Sequence, residues 1–590
     1  MQSISRRTFL KLSALSACSL VVSTGLSGCN SYDNHAEVGF LHGVAAGDPL
    51  QDKVIIWTRV TTDADSVDVD YEVSMDSAFN DIIHNGTVRT SAANDYTLKI
   101  DIQELDAGTQ YYYRFKSNGK ISETGKMKTL PVGSVEQVRM AVFSCANYTN
   151  GYFNAYDLAS QLGDIDVTVH LGDYIYEYGM YEADGVTPAY ATSNAAAIGR
   201  VLPAENAREC ITLEDYRRRY ALYRTDKGLQ ALHKSAAMIV VWDDHEIAND
   251  AYAEGAENHN PDEGAFDDRV AASLQAYFEW LPIRPVIDKK EIYRNFTFGD
   301  LLSLHMLETR IFGRDRQLSY SDHYNSALEF DQSKFTADLT SSDRTMMGAV
   351  QAEWLQTQMA VSTARWEVLG QQVLMGRMSL PAEMLTLISM LENPQMYGMT
   401  KEEILVRINS SMAELVTLKM RKLQGETLTA EEETRLSTVM PYNLDAWDGY
   451  FAEREVIFGT AKAYGKNLIV LAGDTHNAWA NDLKDMYGEA VGVEFATSSV
   501  SSPGLEEYLS LSGLEQAMQL EGAFSLLIDD MKYCNILDRG FMEVVFTHDK
   551  VVSSWHFVSH YDSALYSMNR ARWKTLQCSF GEKRLKEIDV

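Results

Sequence analysis

Four short apolar runs in this chain each stop at a group that an apolar core cannot hold. Residues 138–143 run into Ser144-Cys145, residues 167–171 into Gly172-Asp173, residues 238–242 into Asp243-Asp244, and residues 468–471 into Gly473-Asp474 after one alanine. Runs of this length, bounded by turn signals, predict buried strands. Helical stretches near 213–222, 270–280 and 352–360 lie between them. Strands alternating with helices predict α/β layers, where ligands gather beyond the carboxyl ends of strands. All four polar stops fall at such ends.

The groups brought to those ends define a chemistry. Asp173 is followed three residues later by Tyr176, Asp243-Asp244-His245-Glu246 is a compact acid–imidazole run, Asp474 and His476 sit two apart, and Cys145 caps the first run. Taken singly, each reads as structure: a turn with a core tyrosine, a solvated acidic turn, a strand end with a capping aspartate. Taken together they would bury several charges, each costing several kcal/mol if unpaired. Few Lys or Arg flank the motifs, so the expected partner is metal. Carboxylate oxygen suits Ca²⁺, Mg²⁺ or Mn²⁺, and phenolate with thiolate and imidazole suits a more polarising centre such as Fe³⁺. A shared carboxylate can bridge two ions.

At 590 residues the chain exceeds one ordinary core of about 100–200 residues. Residues 38–131 alternate in period two between turn signals and predict a small β-sandwich, a packing or spacer module without catalytic spacing. Residues 137–560 predict the α/β catalytic domain, residues about 382–440 a helical insertion over it, and residues 561–590 a C-terminal helix, amphipathic near 563–576. The first 29 residues are an address: Arg6-Arg7 before a weakly apolar run resembles a twin-arginine signal. Leu26-Ser27-Gly28-Cys29 then resembles a lipobox with Cys29 as the acylated residue; the alternative is a plain cleaved signal. The net charge of −31 disfavours nucleic acid and anionic lipid as partners of the whole surface. Six cysteines are too few for a disulfide scaffold, though Cys210, Cys534 and Cys578 could supply one bridge. His42, His170, His233 and His305 read as satisfied structural histidines.

In combination the motifs are specific. Gly172-Asp173-Tyr174-Ile175-Tyr176, Trp242-Asp243-Asp244-His245-Glu246 and Gly473-Asp474-Thr475-His476 resemble the metallophosphoesterase blocks of purple acid phosphatases. With Phe143-Ser144-Cys145-Ala146-Asn147-Tyr148, and with His42-Gly43-Val44-Ala45-Ala46-Gly47-Asp48-Pro49 upstream, the chain resembles the PhoD-like alkaline phosphatase/phosphodiesterase family. The resemblance implies an α/β metallophosphoesterase core behind an Fn3/Ig-like all-β domain. It implies Fe³⁺ held by Cys145, Asp173, Tyr176 and His476, with Asp173 bridging to one or more Ca²⁺ held by Asp244 and Asp474. His245 is expected to face the substrate phosphate as the catalytic residue, and Asn147 and Asn249 to contact substrate or the second metal. No Val-x-x-His block, a common metal-ligand source in relatives, lies between residues 247 and 470. The implied activity is an exported phosphatase acting on small organic phosphomonoesters or diesters. The alternatives are a dedicated phosphodiesterase of phospholipase D type and a non-enzymatic calcium-binding lipoprotein. Expected partners are the substrate and the twin-arginine machinery, with membrane contact only through a lipid anchor and a periplasmic or membrane-anchored location.

Overall fold

The apolar runs are strands covered on both faces. In the computed structural model, which describes residues 37–588 apart from 183, 326–329, 392–393 and 512, strands Gln137–Phe143, Val167–His170 and Met238–Val240 are parallel neighbours. They lie inside a ten-stranded sheet that Gly540–Thr547, Lys550–Phe557 and Lys574–Ser579 extend antiparallel. A seven-stranded sheet holds Leu302–Met306, Trp366–Gly370, Leu468–Ala472 and Ala490–Ala496 as parallel neighbours. Strands buried on both faces read as continuous apolar runs, which is what the sequence carries.

The two sheets share one core. Val142 and Phe143 cluster with Ile469, Leu471, Val493 and Phe495. One position along, Leu468, Val470 and Val491 join a second core with Leu355 and Met359 of helix Gly348–Val361 and Ile457 and Phe458 of helix Phe451–Ala463. The two-residue period of a strand sorts the side chains this way. Each such residue, fully buried, contributes about 1.5–3 kcal/mol. The loops beyond the strands meet at one rim, where Cys145 N–H donates to Gly172 O at 3.2 Å, Ala146 N–H to Asp173 O at 2.9 Å, and Val500 N–H to Ser144 O at 3.0 Å.

An all-β region precedes this core, and its inner strands are part of the ten-stranded sheet. Val44–Gly47, Val54–Arg59 and Thr97–Ile102 continue the ten-stranded sheet through the pairing of Gly47 with Met238. A Cβ on Gly47 would stand 2.3 Å from Pro282 O and 2.7 Å from Met238 O, so the junction requires glycine. Over these strands lies a second sheet in the order Gly125–Lys128, Gln110–Ser117, Ser66–Ser74, Ile82–Ser91, with Ile56, Val69, Tyr113 and Phe115 between them.

Helices Ala382–Ser389, Lys401–Leu423 and Ala430–Ser437 leave and return through two short strands, Ser379–Pro381 and Val439–Pro441, which pair antiparallel. Capping boxes start two of them, Thr400 with Glu403 and Thr429 with Glu432, satisfying the free N–H groups of the first turn.

The expected C-terminal helix is not there. Lys574–Ser579 is a strand paired with Lys550–Phe557, Lys586–Glu587 pairs in turn with it, and the stretch before holds one three-residue turn, Arg570–Arg572. Leu576 and Cys578 face the core two apart, so a period of two at an open sheet edge overrides the helical pattern. The suggested disulfide also fails among the described residues. Cys210, Cys534 and Cys578 are buried and unbridged, one in a loop and two on strands of different sheets. Residues 1–36, with Arg6, Arg7 and Cys29, lie outside the described residues. Among those described, no helix is long and apolar enough to cross a membrane.

Candidate active site

The site is built from turns that bend sharply just past the strand ends. Cys145, Asp173, Asp474 and His476 all adopt left-handed backbone, with φ of 60°, 54°, 64° and 63°. Non-glycine residues avoid this region, and such strain concentrates at functional sites. The glycines of the motifs let the loops close on one another: a Cβ on Gly172 would lie 2.3 Å from Asp243 Cβ, and one on Gly473 would lie 2.5 Å from Ser144 Oγ.

One half of the site joins thiol, carboxyl, phenol and imidazole. Ligand atoms of Cys145, Asp173 and His476 all lie within 4.8 Å of one another. Tyr176 Oη lies 3.0 Å from both Asp173 Oδ2 and His476 Nε2, and Ser502 Oγ donates to it at 2.7 Å. His476 Nδ1 donates to Pro503 O at 2.5 Å, which leaves the Nε2 lone pair facing the group. Burial pushes the Cys145 thiol and the Tyr176 phenol well above their usual values, and the Asp173 carboxylate adds to both shifts. Burial lowers His476 to about 3.

The other half is carboxylate. Asp243, Asp244 and Asp474 bring oxygens within 4.8 Å of one another, as do Asp173, Asp244 and His245 at the join of the halves. Burial, with Asp243 beside it, raises Asp474 well above the carboxylate range. For Asp244 burial is outweighed by Arg310 and His245, and its pKa falls to about 2.

A cation already stands in this half. Arg310 is fully buried and reaches Asp445 at 2.9 and 3.0 Å, Asp474 at 2.9 Å, Asp244 at 3.5 Å, and Asp243 through Nε. The expectation that metal alone would meet these carboxylates, drawn from the lack of basic neighbours in sequence, is therefore corrected. Arg310 comes from far along the chain, yet it follows the apolar strand Leu302–Met306 as the other site residues follow theirs. That strand-end position is the signal that could have found it.

His245 is held by a residue the motifs did not single out. Its Nδ1 lies 2.8 Å from Glu177 Oε2, and its ring lies 4.2 Å from that of Tyr176. Burial opposes a charge on the ring, but Asp244, Glu177 and Asp173 outweigh it and raise the pKa well above its usual value. Asn147 sits at the rim with Oδ1 accepting from Thr149 and Asn150, and its buried Nδ2 finds no partner among the described residues. Asn249 meets the site through its backbone N–H, 2.8 Å from Glu177 Oε1, while its side-chain amide donates to Glu257.

Two sheets that face across one core, with ionisable groups gathered beyond their strand ends, are here the frame of a phosphoric ester hydrolase. The chain belongs to the PhoD-like phosphatase family: the model of that family matches residues 140–555, and the model of its N-terminal domain matches residues 28–131. Alkaline phosphatase D of Bacillus subtilis (strain 168) is 32% identical over 527 residues, which cover 85% of this chain and 76% of that relative. A solved structure described as that of PhoD superposes with a TM-score of 0.70 at 26% identity, covering 95% of this chain and 94% of the other. The reading as a non-enzymatic binding lipoprotein is set aside.

Proposed function

We propose that this chain is an exported, metal-dependent alkaline phosphatase that releases phosphate from small phosphomonoesters and accepts phosphodiesters. The observation that carries the metal dependence is the convergence of Cys145, Asp173, Tyr176 and His476 on one buried point. Deprotonated, the thiol, phenol and carboxyl carry three negative charges, a donor set that fits Fe³⁺. Asp244 and Asp474 offer hard oxygens that fit Ca²⁺, with Asp173 shared between the halves. Such cations supply Lewis-acid activation of the ester and of the attacking water.

The chain's own groups do the rest. Glu177 accepts from His245 Nδ1 and, with Asp244 beside the ring, favours the protonated imidazole, whose Nε2–H is then a second donor. His245 thereby acts as proton donor to the leaving alkoxide. Asn147 Nδ2, a buried donor without a partner among the described residues, serves as a contact for a phosphoryl oxygen. Three N-terminal strands packed on a five-stranded sheet support an Fn3/Ig-like sandwich, which superposing an experimental structure on such domains would test.

Purified protein assayed on p-nitrophenyl mono- and diesters, before and after chelation and with added Ca²⁺, tests the reaction, and elemental analysis tests the metals. Full activity in metal-free protein would overturn the reading. Lipid anchoring is tested by Cys29→Ser, which should move the protein from the membrane fraction to the soluble one; equal partition leaves a plain cleaved signal.

A further inference from the structure

Arg310 is seated from behind as well as from the front. Glu308 Oε1 accepts its backbone N–H at 2.9 Å and also takes Trp242 Nε1 at 2.8 Å. The backbone of Arg310 is thus held by a buried carboxylate outside the cluster, and its guanidinium fork points at Asp243, Asp244, Asp445 and Asp474. Arg314 adds a second guanidinium on Asp445. Two guanidiniums face four carboxyl groups, and Asp243 Oδ2 is buried with no hydrogen-bond partner among the described residues.

We propose that Arg310 is a resident stand-in for part of the cation charge. It holds Asp243, Asp445 and Asp474 together when no metal is bound, and shares Asp244 and Asp474 with a divalent cation when one arrives. This inference rests on the metal-dependent reading above. Guanidinium and cation are then partial alternatives for the same oxygens, so each stabilises more when the other is missing. A residue that only aligned metal ligands would act with the opposite sign, because its loss would spoil the cation site and shrink the effect of the cation.

The test compares melting of metal-free full-length protein with and without saturating Ca²⁺, for wild type, Arg310→Gln and Arg310→Lys. Arg310→Gln should melt lower than wild type without metal, gain at least twice the wild-type rise on adding Ca²⁺, and bind Ca²⁺ about tenfold tighter by titration calorimetry, since a like charge has left its neighbourhood. Arg310→Lys keeps the charge and should show a rise close to that of wild type. A rise in Arg310→Gln equal to or smaller than that of wild type overturns the proposal and leaves the metal reading intact. A wild type that no divalent cation shifts defeats the metal reading and this proposal with it. Should Arg310→Gln fail to fold, Arg310→Lys still decides: a wild-type rise supports a role of charge, and a smaller one overturns it.

Discussion

Glu246 accepts the backbone N–H of Asp173 at 2.9 Å, although the two residues belong to different strand-end loops. The same carboxylate takes the N–H groups of Tyr174 at 2.5 Å and Asp243 at 2.7 Å. The loop that carries the shared carboxylate is thereby tied to the loop that carries Asp244 and His245. The separation of the two halves of the site depends on this clamp, which lies beneath the chemistry.

Replacing Tyr176 by Phe removes the phenol from the thiol–carboxyl–imidazole group with little change of shape. If Fe³⁺ is bound there, concentrated wild-type protein has a visible phenolate-to-iron band, and Tyr176→Phe should lack it. A colourless, iron-free and fully active wild type would sink the ferric assignment.

His245→Ala should lower kcat on alkyl esters by about 10²–10⁴-fold, the usual contribution of general acid catalysis. The loss should shrink on p-nitrophenyl esters, whose leaving group needs little protonation, and metal content should stay at the wild-type level. A variant that loses a metal would make His245 a ligand instead.

Metal-free protein should lose stability as pH rises. Burial raises Asp243 to about 6 and Glu246 to about 8, and raises Asp173 and Asp474 well above the carboxylate range. A carboxyl whose pKa is higher folded than unfolded contributes stability that is fully present below the unfolded value, near 4, and lost as pH climbs through the folded value. Calorimetric Tm should therefore fall between about pH 5 and 8. Metal loading should reverse the slope, because cations bind the deprotonated groups. A flat metal-free profile over that range counts against the buried charges described above.

Gly172→Ala sets a Cβ 2.3 Å from Asp243 Cβ at a φ of 111°. Both clash and strain act on the loop that carries Asp173, so unfolding in denaturant should show a loss of about 2–3 kcal/mol or more, with loss of activity. A variant of unchanged stability would mean that the two loops can separate freely.

The site was more legible in the sequence than its support. Cys145, Asp173, Asp244 and Asp474 stand out where apolar runs stop at strand ends, and Tyr176 and His476 lie two or three residues beyond them. Glu246 lay inside a quoted motif and Glu177 directly after one, but neither had a role in view, since a carboxylate that accepts a distant N–H looks in sequence like any other. Asp445 reaches the site only through tertiary folding, and Arg310 carried no signal but its place beyond the strand Leu302–Met306. The α/β layers followed from the runs of residues alone. The C-terminal strands did not, because residues 563–576 also fit a helical period and pairing with Lys550–Phe557 decided between the two.

The join between Gly47 and Met238 also sets a timetable for the growing chain. The N-terminal strands leave the ribosome first, yet their neighbour in the sheet follows about 190 residues later. Gln137–Phe143 waits still longer, about 400 residues, for Gly540–Thr547. Contacts this distant in sequence close slowly and late. The central sheet cannot be completed on a nascent fragment. Until the last strands are made, the early ones lack the neighbours that bury their edges.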